Sequence, residues 1–414
     1  MALSFTRFVP PAQEGGNGVE RKDWLAIAAK HADDFKPHLS RFDRENKFPF
    51  EHVDAVKASG YSTLTVPAEL GGGGADVATL VQCQHRLAQG DGPFTVAFNM
   101  HLFNVAMRSD FYRLGDTRQK AFLEAVVHKH WIVGASTSDY QANTSVSVSG
   151  INDTARTAVL EDGFFRINGK STFGTLCEVA DYFGSSACYE DPVRGTRVLN
   201  FQVPLTAPGV EILRNYDTMS IRASASHDVV WNNVLVPQEA VVDRPVRTWD
   251  RFNNIFFAWF SPAISACYLG IARAARDYAV AKVQKRTQKP FDQPMSHYPG
   301  NQILAGEMEV ELRVAMSMLE ATAAKLDTAE KRANPPVEDL VACQRYCTET
   351  AISIVDKAMR MAGGSAIVRT EPLEQHYRDV RAAIIHPPWS GYEGAAMLGK
   401  LVFGIKLDQI PRWV

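Results

Sequence analysis

In this 414-residue chain, residue type and spacing first suggest chemistry at a cysteine pair and a run of glycines. Cys343 and Cys347 stand one helical turn apart, which would put two thiolates on one helix face. A tetrahedral metal site needs a second Cys or His pair at ligand spacing, and none accompanies them. Buried apolar thiols are the better reading. All six cysteines (83, 177, 188, 267, 343 and 347) are too few and too scattered for a disulfide framework. Residues 68–76, AELGGGGAD, place four glycines between two helical patterns. A P-loop ends in Gly-Lys-Ser/Thr, and a dinucleotide fingerprint runs from a strand into a helix. This loop has neither context and reads as a turn.

The elements that would position any site fall into three textures. Residues 1–18 form a polar tail without the apolar core of a signal peptide. From 19 to 130 the pattern is helical, with Trp24, Leu25, Ile27, Ala28 and Ala32 on one face of the first helix. From 131 to 240, SVSVSG, TARTAVLEDGFFRINGKSTFGT, VLNFQVPL and HDVVWNNVLVP alternate at period two, which predicts a sandwich or barrel. Asp162-Gly163 and Asn168-Gly169 are hairpin turn signals inside it. From 241 to 414 long helical patterns return at 250–286, 299–327, 337–362 and 391–405, separated by prolines. The apolar run Ile255 to Ile271 is interrupted by Pro262 and falls short of a membrane span, so it reads as a buried bundle helix. With 44 Lys and Arg against 46 Asp and Glu, no charge excess draws the chain to nucleic acid or acidic membranes. A cytoplasmic α+β protein is expected.

Four local words in order add a family resemblance. VPAELGGGGAD with Asn99–His101, NGKSTFGT, MSIRASASHDVVWNNVLVP and GGSAIVRTEPLEQHYRDVRA are similar to segments of the acyl-CoA dehydrogenase superfamily, over residues 20–410. The resemblance implies an N-terminal α-helical domain, a central β-domain and a C-terminal four-helix bundle, with flavin in the cleft between the last two. FAD is the cofactor implied, with FMN as the alternative, and a homotetramer is the usual assembly. Phe173 would wall the flavin ring, and the Thr137, Ser138 and Thr175 hydroxyls would meet its polar edge. Arg286 and Phe291 stand near the family's interface arginine and phenylalanine, although they are five positions apart, where three is usual. Arg360, Gly363 and Gly364 match the segment that approaches the cofactor phosphates. The glycines would equally serve as a helix C-cap.

Two chemistries compete, with α,β-dehydrogenation of an acyl thioester and hydride transfer to flavin N5 the leading expectation and oxygenation the alternative. Acyl-thioester dehydrogenation needs a carboxylate to take an α-proton. Glu393 in Tyr392-Glu393-Gly394 resembles the family's base, but it lies fifteen positions after Arg378, beyond the family spacing. The family's other base position, near Phe260, offers no acid. RDVRAAIIHPP is also similar to a segment of same-fold flavin monooxygenases, which makes His386 a residue at the flavin edge. His101 stands where those enzymes place another active-site side chain, while Ala383 replaces one of their histidines. The redox partner would be an electron-transfer flavoprotein in the first case and a flavin reductase in the second. A flavin-poor interaction protein is the third reading.

Overall fold

The computed structural model describes residues 23–136, 138–139, 153–290, 292–386 and 391–405, without the side chains of 391–393. The expected SVSVSG strand, Thr137 and Phe291 lie outside the described residues.

The N-terminal layer contains α1 (Trp24–Phe35), α2 (Leu39–Glu45), α3 (Phe50–Ala58), α4 (Val77–Leu87), α5 (Gly92–Arg113) and α6 (Gln119–His128). Asp23, Asp76 and Asp91 start α1, α4 and α5 by accepting the N–H groups of Ala26, Thr79 and Phe94. Each such cap is worth about 1 kcal/mol. α5 is buried without a break from Gly92 to Met107 and therefore needs neighbours on every side. The four-glycine loop folds back on residues 64–68. A Cβ on Gly72 would lie 2.3 Å from that of Val66, and one on Gly73 would lie 2.5 Å from the Leu64 carbonyl. Close packing accounts for those two glycines.

The central module is one mixed sheet of β1 (Val133–Ala135), β2 (Thr157–Glu161), β3 (Phe164–Gly174), β4 (Tyr182–Asp191), β5 (Gly195–Pro204), β6 (Val210–Ile212), β7 (His227–Pro237) and β8 (Val242–Pro245). Its order is β6-β7-β3-β2-β4-β5-β8, with β1 parallel to β4. β7 and β5 are four steps apart, roughly 19 Å in a flat sheet. Yet Trp231 of β7 and Phe201 of β5 have ring centroids only 5.1 Å apart, so the sheet coils around its own core. Asp162-Gly163 turns the β2–β3 hairpin with positive φ at both residues, as a two-residue turn requires. Asn168-Gly169 does not turn. It forms a register shift inside β3, where Asn168 Oδ1 accepts the Asn233 N–H and a Cβ on Gly169 would strike Arg156 at 2.8 Å. Pairing with β7 keeps this segment extended, so the glycine serves a bulge.

The helical region comprises α7 (Arg251–Lys285), α8 (Pro299–Ala324), α9 (Ala329–Ala333), α10 (Val337–Ala362), α11 (Pro372–Val380) and α12 (Gly391–Val402). α11 was not legible as a helix because its buried face carries Gln375, His376 and Asp379 beside Leu373 and Val380, so no apolar stripe marks it; Pro372 starts it. α7 is long and apolar enough to cross a membrane, but its most apolar window is entirely buried inside the fold, against α4, α5 and α10. Buried Asp110 of α5 clamps the layers together. It accepts from Trp259 Nε1 of α7 at 2.7 Å and from Arg332 Nε and Nη2 of α9 at 2.6 Å. Removing the Asp110 carboxylate would leave the buried Arg332 guanidinium without its counter-ion, at a cost of about 3–5 kcal/mol.

Candidate active site

A cavity of about 970 Å³ lies where the coiled sheet meets α5 and α7. The helices contribute an aromatic wall, in which Phe103 meets Phe256 and Phe260 edge-on at 5.0 and 5.1 Å. The sheet side is rich in hydroxyls: Ser136, Ser138, Thr175, Ser224 and Ser226. This split follows from the sequence. Apolar helix faces seek burial, whereas short polar side chains occupy strand ends that the core does not cover.

Backbone conformation around the hydroxyl wall is unusual. Phe173 has φ 54°, and the Thr175 N–H bonds back to its carbonyl at 2.8 Å. Ile221, a β-branched residue, also has φ 54°, and Ala225 has φ 44°. Such conformations cost on the order of 1–3 kcal/mol each and persist when surrounding contacts hold them. Asp379 supplies one such contact by accepting the Ile221 N–H at 2.7 Å. Next to it, Arg378 reaches Asp43 at 2.6 and 2.9 Å and accordingly ties α11 to α2. Burial, reinforced by Asp43 and Asp91, raises the Asp379 carboxyl to about 8 against the Ile221 N–H and Arg378, which both favour its charged form. On the sheet, buried Arg156 donates to the Ser138 carbonyl at 3.1 Å and the Ser186 carbonyl at 2.6 Å, fixing the Ser138 backbone. The Ser138 hydroxyl has no hydrogen-bond partner among the described residues and faces the cavity. Thr175 Oγ1 lies 2.9 Å from Ser226 Oγ, which lies 2.8 Å from Ser224 Oγ.

His386 lines the same cavity. Its Nδ1 is 2.8 Å from the Tyr268 hydroxyl, and its ring tilts over Phe260 at 5.8 Å. Nε2 has no partner among the described residues. Burial holds the imidazole pKa down at about 4, and burial also raises Tyr268 well above its usual value. At neutral pH both groups are therefore uncharged. The Tyr268 O–H can donate to Nδ1, which leaves Nε2–H as a donor without a partner among the described residues.

Ser138, Phe173, Thr175 and His386 are thus brought together by the cavity. His101 is not part of its wall. It is fully buried, with Nε2–H donating to the Ser62 carbonyl at 2.7 Å and Nδ1 accepting the Val133 N–H at 3.0 Å. Both ring nitrogens serve backbone groups between the N-terminal layer and β1. Arg286 is exposed at the C-terminal end of α7, far along the helix from Phe260. Arg360, Gly363 and Gly364 are exposed around the end of α10, and Gly363 there takes φ 73°. Glu393 falls in the first turn of α12, and its side chain lies outside the described residues. Tyr268, Asp379 and Arg156 were not singled out from the sequence. Tyr268 is the one tyrosine in the apolar run of α7, and Asp379 is the second residue of the Arg-Asp word. No group of three or more His, Cys, Asp or Glu among the described residues could hold a metal ion.

With that geometry in hand, similarity to known proteins becomes informative. Residues 21–128 match the acyl-CoA dehydrogenase N-terminal domain, and residues 263–389 match the acyl-CoA dehydrogenase C-terminal domain. YdbM of Bacillus subtilis (strain 168), which is named after acyl-CoA dehydrogenases, is 33% identical over 369 residues, covering 89% of this chain and 94% of that protein. The chain belongs to the acyl-CoA dehydrogenase family and is a flavin oxidoreductase of that class. Amino sugar nitrososynthase DnmZ of Streptomyces peucetius is 27% identical over 384 residues, covering 87% of this chain and 88% of its own. A KijD3 structure in complex with FMN and a dTDP-amino-keto-sugar has the same fold, with TM-score 0.84 and 22% identity, covering 94% of this chain and 96% of that one.

Proposed function

We propose that this chain is a flavin-dependent monooxygenase that acts on a small organic substrate inside the 970 Å³ cavity, using flavin reduced by a separate reductase. The His386–Tyr268 pair carries this reading. It presents a neutral donor to a cavity whose described wall holds no carboxylate except Glu239, which is exposed. A proton-abstracting base is therefore lacking from the described inner wall, whereas a hydrogen-bond donor is present.

The residues fit a flavin ring. Phe173, held in a costly backbone conformation, offers a flat apolar surface, and the unpartnered Ser138 hydroxyl with Thr175 offers donors to the polar ring edge. When bound, the flavin supplies the electrons with which one atom of O2 enters the substrate and the other leaves as water. His386 Nε2–H orients the oxygen-bearing group by hydrogen bonding, and Tyr268 fixes the tautomer that makes this donation possible. Phe103, Phe256 and Phe260 exclude water and accept an apolar substrate body. The exposed Arg286, Arg360, Gly363 and Gly364 would meet the phosphate tail of FAD at a subunit contact in a cytoplasmic homotetramer; FMN would need only the cavity. The name of DnmZ, an amino sugar nitrososynthase, supports an oxygenating reading, because an amine becomes a nitroso group by gaining oxygen.

YdbM's name favours a second reading, acyl-thioester dehydrogenation with Glu393 as base. One pair of experiments separates the two. Reduced, flavin-loaded protein is mixed with isotopically labelled O2 and a panel of small aromatic, sulfur- and nitrogen-containing compounds. Label in a product supports the monooxygenase. Anaerobic bleaching of the oxidised flavin by an acyl-CoA, lost in Glu393→Gln, would overturn it in favour of the dehydrogenase.

A further inference from the structure

Arg108 is a cation in the cavity wall without an ion-pair partner among the described residues. It projects from α5 beside Gln119, Phe122, Tyr182 and Gln202, all of which line the same space. Its guanidinium stacks on Phe122 at 4.1 Å from the ring centroid. Nε donates to Gln202 Oε1 at 3.0 Å, Nη2 donates to the same oxygen, and Nη1 donates to Gln119 Oε1. These three bonds leave two of the five guanidinium N–H groups free, one on each terminal nitrogen.

No carboxylate lies within ion-pair distance of Arg108 among the described residues. Asp116 influences it only through space, because both Asp116 oxygens bond elsewhere, to Arg118 at 2.8 and 3.0 Å and to Gln119 at 3.0 Å. The segment 140–152 contains no Asp or Glu. Burial lowers the guanidinium to about 10, which still leaves it charged at neutral pH. Holding a desolvated cation with amide oxygens alone costs stability, so a compensating anion from outside is the natural partner. Two amides and a phenyl ring also lock the fork in place before a ligand arrives, which reduces the entropy lost on binding.

Resting on the reading of this cavity as the substrate site, we infer that the substrate carries an oxyanion, a carboxylate or sulfonate, on an apolar body. Arg108 grips that group with its two free N–H donors. The aromatic wall takes the rest of the molecule. Arg108 is a specificity-determining residue that sets which end of the substrate enters first.

Binding of matched probes tests this without turnover. Dissociation constants for benzoate, benzenesulfonate and neutral benzyl alcohol are measured by ligand-observed NMR on the full-length protein, with and without FMN. Wild-type protein should bind both anions roughly ten- to a hundredfold more tightly than the alcohol, as a charge-assisted pair in a desolvated site predicts. Arg108→Gln should abolish the preference while leaving benzyl alcohol affinity unchanged, and Arg108→Lys should restore part of it. Gln202→Glu places a counter-ion against an intact Arg108 and should abolish the preference too; it carries the test if Arg108→Gln fails to fold. Equal binding of anion and alcohol by wild type, or an undiminished preference in Arg108→Gln or Gln202→Glu, would overturn the inference. No oxygen or reductant is involved, so failed oxygenation with an intact anion preference would sink only the proposed reaction.

Discussion

The regions around His101 and His386 place the same side chain in burial strong enough to hold its pKa at about 4, yet they equip it differently. Around His101, both ring nitrogens are committed to backbone groups of Ser62 and Val133, and no atom of the ring reaches the cavity wall. Around His386, one nitrogen is committed to Tyr268 and the other has no partner among the described residues. A histidine with both bonds satisfied is a clasp. A histidine with one bond left over is available to a ligand, and that difference, rather than burial or pKa, separates the clasp from the proposed donor.

The strongest way to break the contrast is at His386. His386→Gln should lower turnover about 10²- to 10⁴-fold, the usual worth of a positioned proton donor, while the thermal midpoint stays near wild type. A large loss of stability instead would make His386 a second clasp. At His101 the expected effect is on folding: His101→Ala removes two buried backbone bonds and leaves a void, at about 3–4 kcal/mol in denaturant unfolding. If that variant were stable and inactive, the roles would be reversed.

The acid and alkaline limbs of stability sharpen the comparison further. His101 and His376 have folded pKa values near 4, below the 6.5 of the unfolded chain, so the unfolded state binds more protons. Their contribution is therefore present above about pH 6.5 and lost as pH falls towards 4, by on the order of 3 kcal/mol each. Asp379 has the opposite sign. Its folded pKa of about 8 exceeds the unfolded 3.8, so its contribution is lost as pH rises through that window. Asp379→Asn keeps an acceptor for the Ile221 N–H and should flatten the alkaline limb by about 3 kcal/mol in melts between pH 6 and 9. An unchanged limb would show that this carboxyl is ionised in the fold. The smallest effect belongs to Tyr268→Phe, which leaves His386 Nδ1 unpaired and should cost about 1 kcal/mol, roughly tenfold or less in turnover.

Much of this frame was readable in advance because helix and strand periodicities are local. The change of texture near 131 falls beside β1, whereas at the other end β8 (Val242–Pro245) still pairs with β5 past residue 241 and α7 begins only at Arg251. The Asn168-Gly169 bulge was not readable, since the same dipeptide turns or bulges according to whether β7 pairs across it. The Asp162-Gly163 hairpin was, because its two strands are adjacent in the chain. Among site residues, Phe173 and Ser138 came with their motifs. Tyr268 did not, because an aromatic in an apolar helix looks the same whether its hydroxyl meets a histidine or a helix carbonyl.

The sequence by itself determined the family, the three-part architecture and the words that line the cavity, since each depends on short-range pattern. Only the tertiary structure decided what those words do to one another. Asp379 of one word holds the strained Ile221 of another across 158 positions, and Arg108 reaches Gln202 across 94. His101 is spent and His386 is not for the same reason. Which hydrogen bonds remain unmade is a property of the packed whole, and no spacing along the chain encodes it.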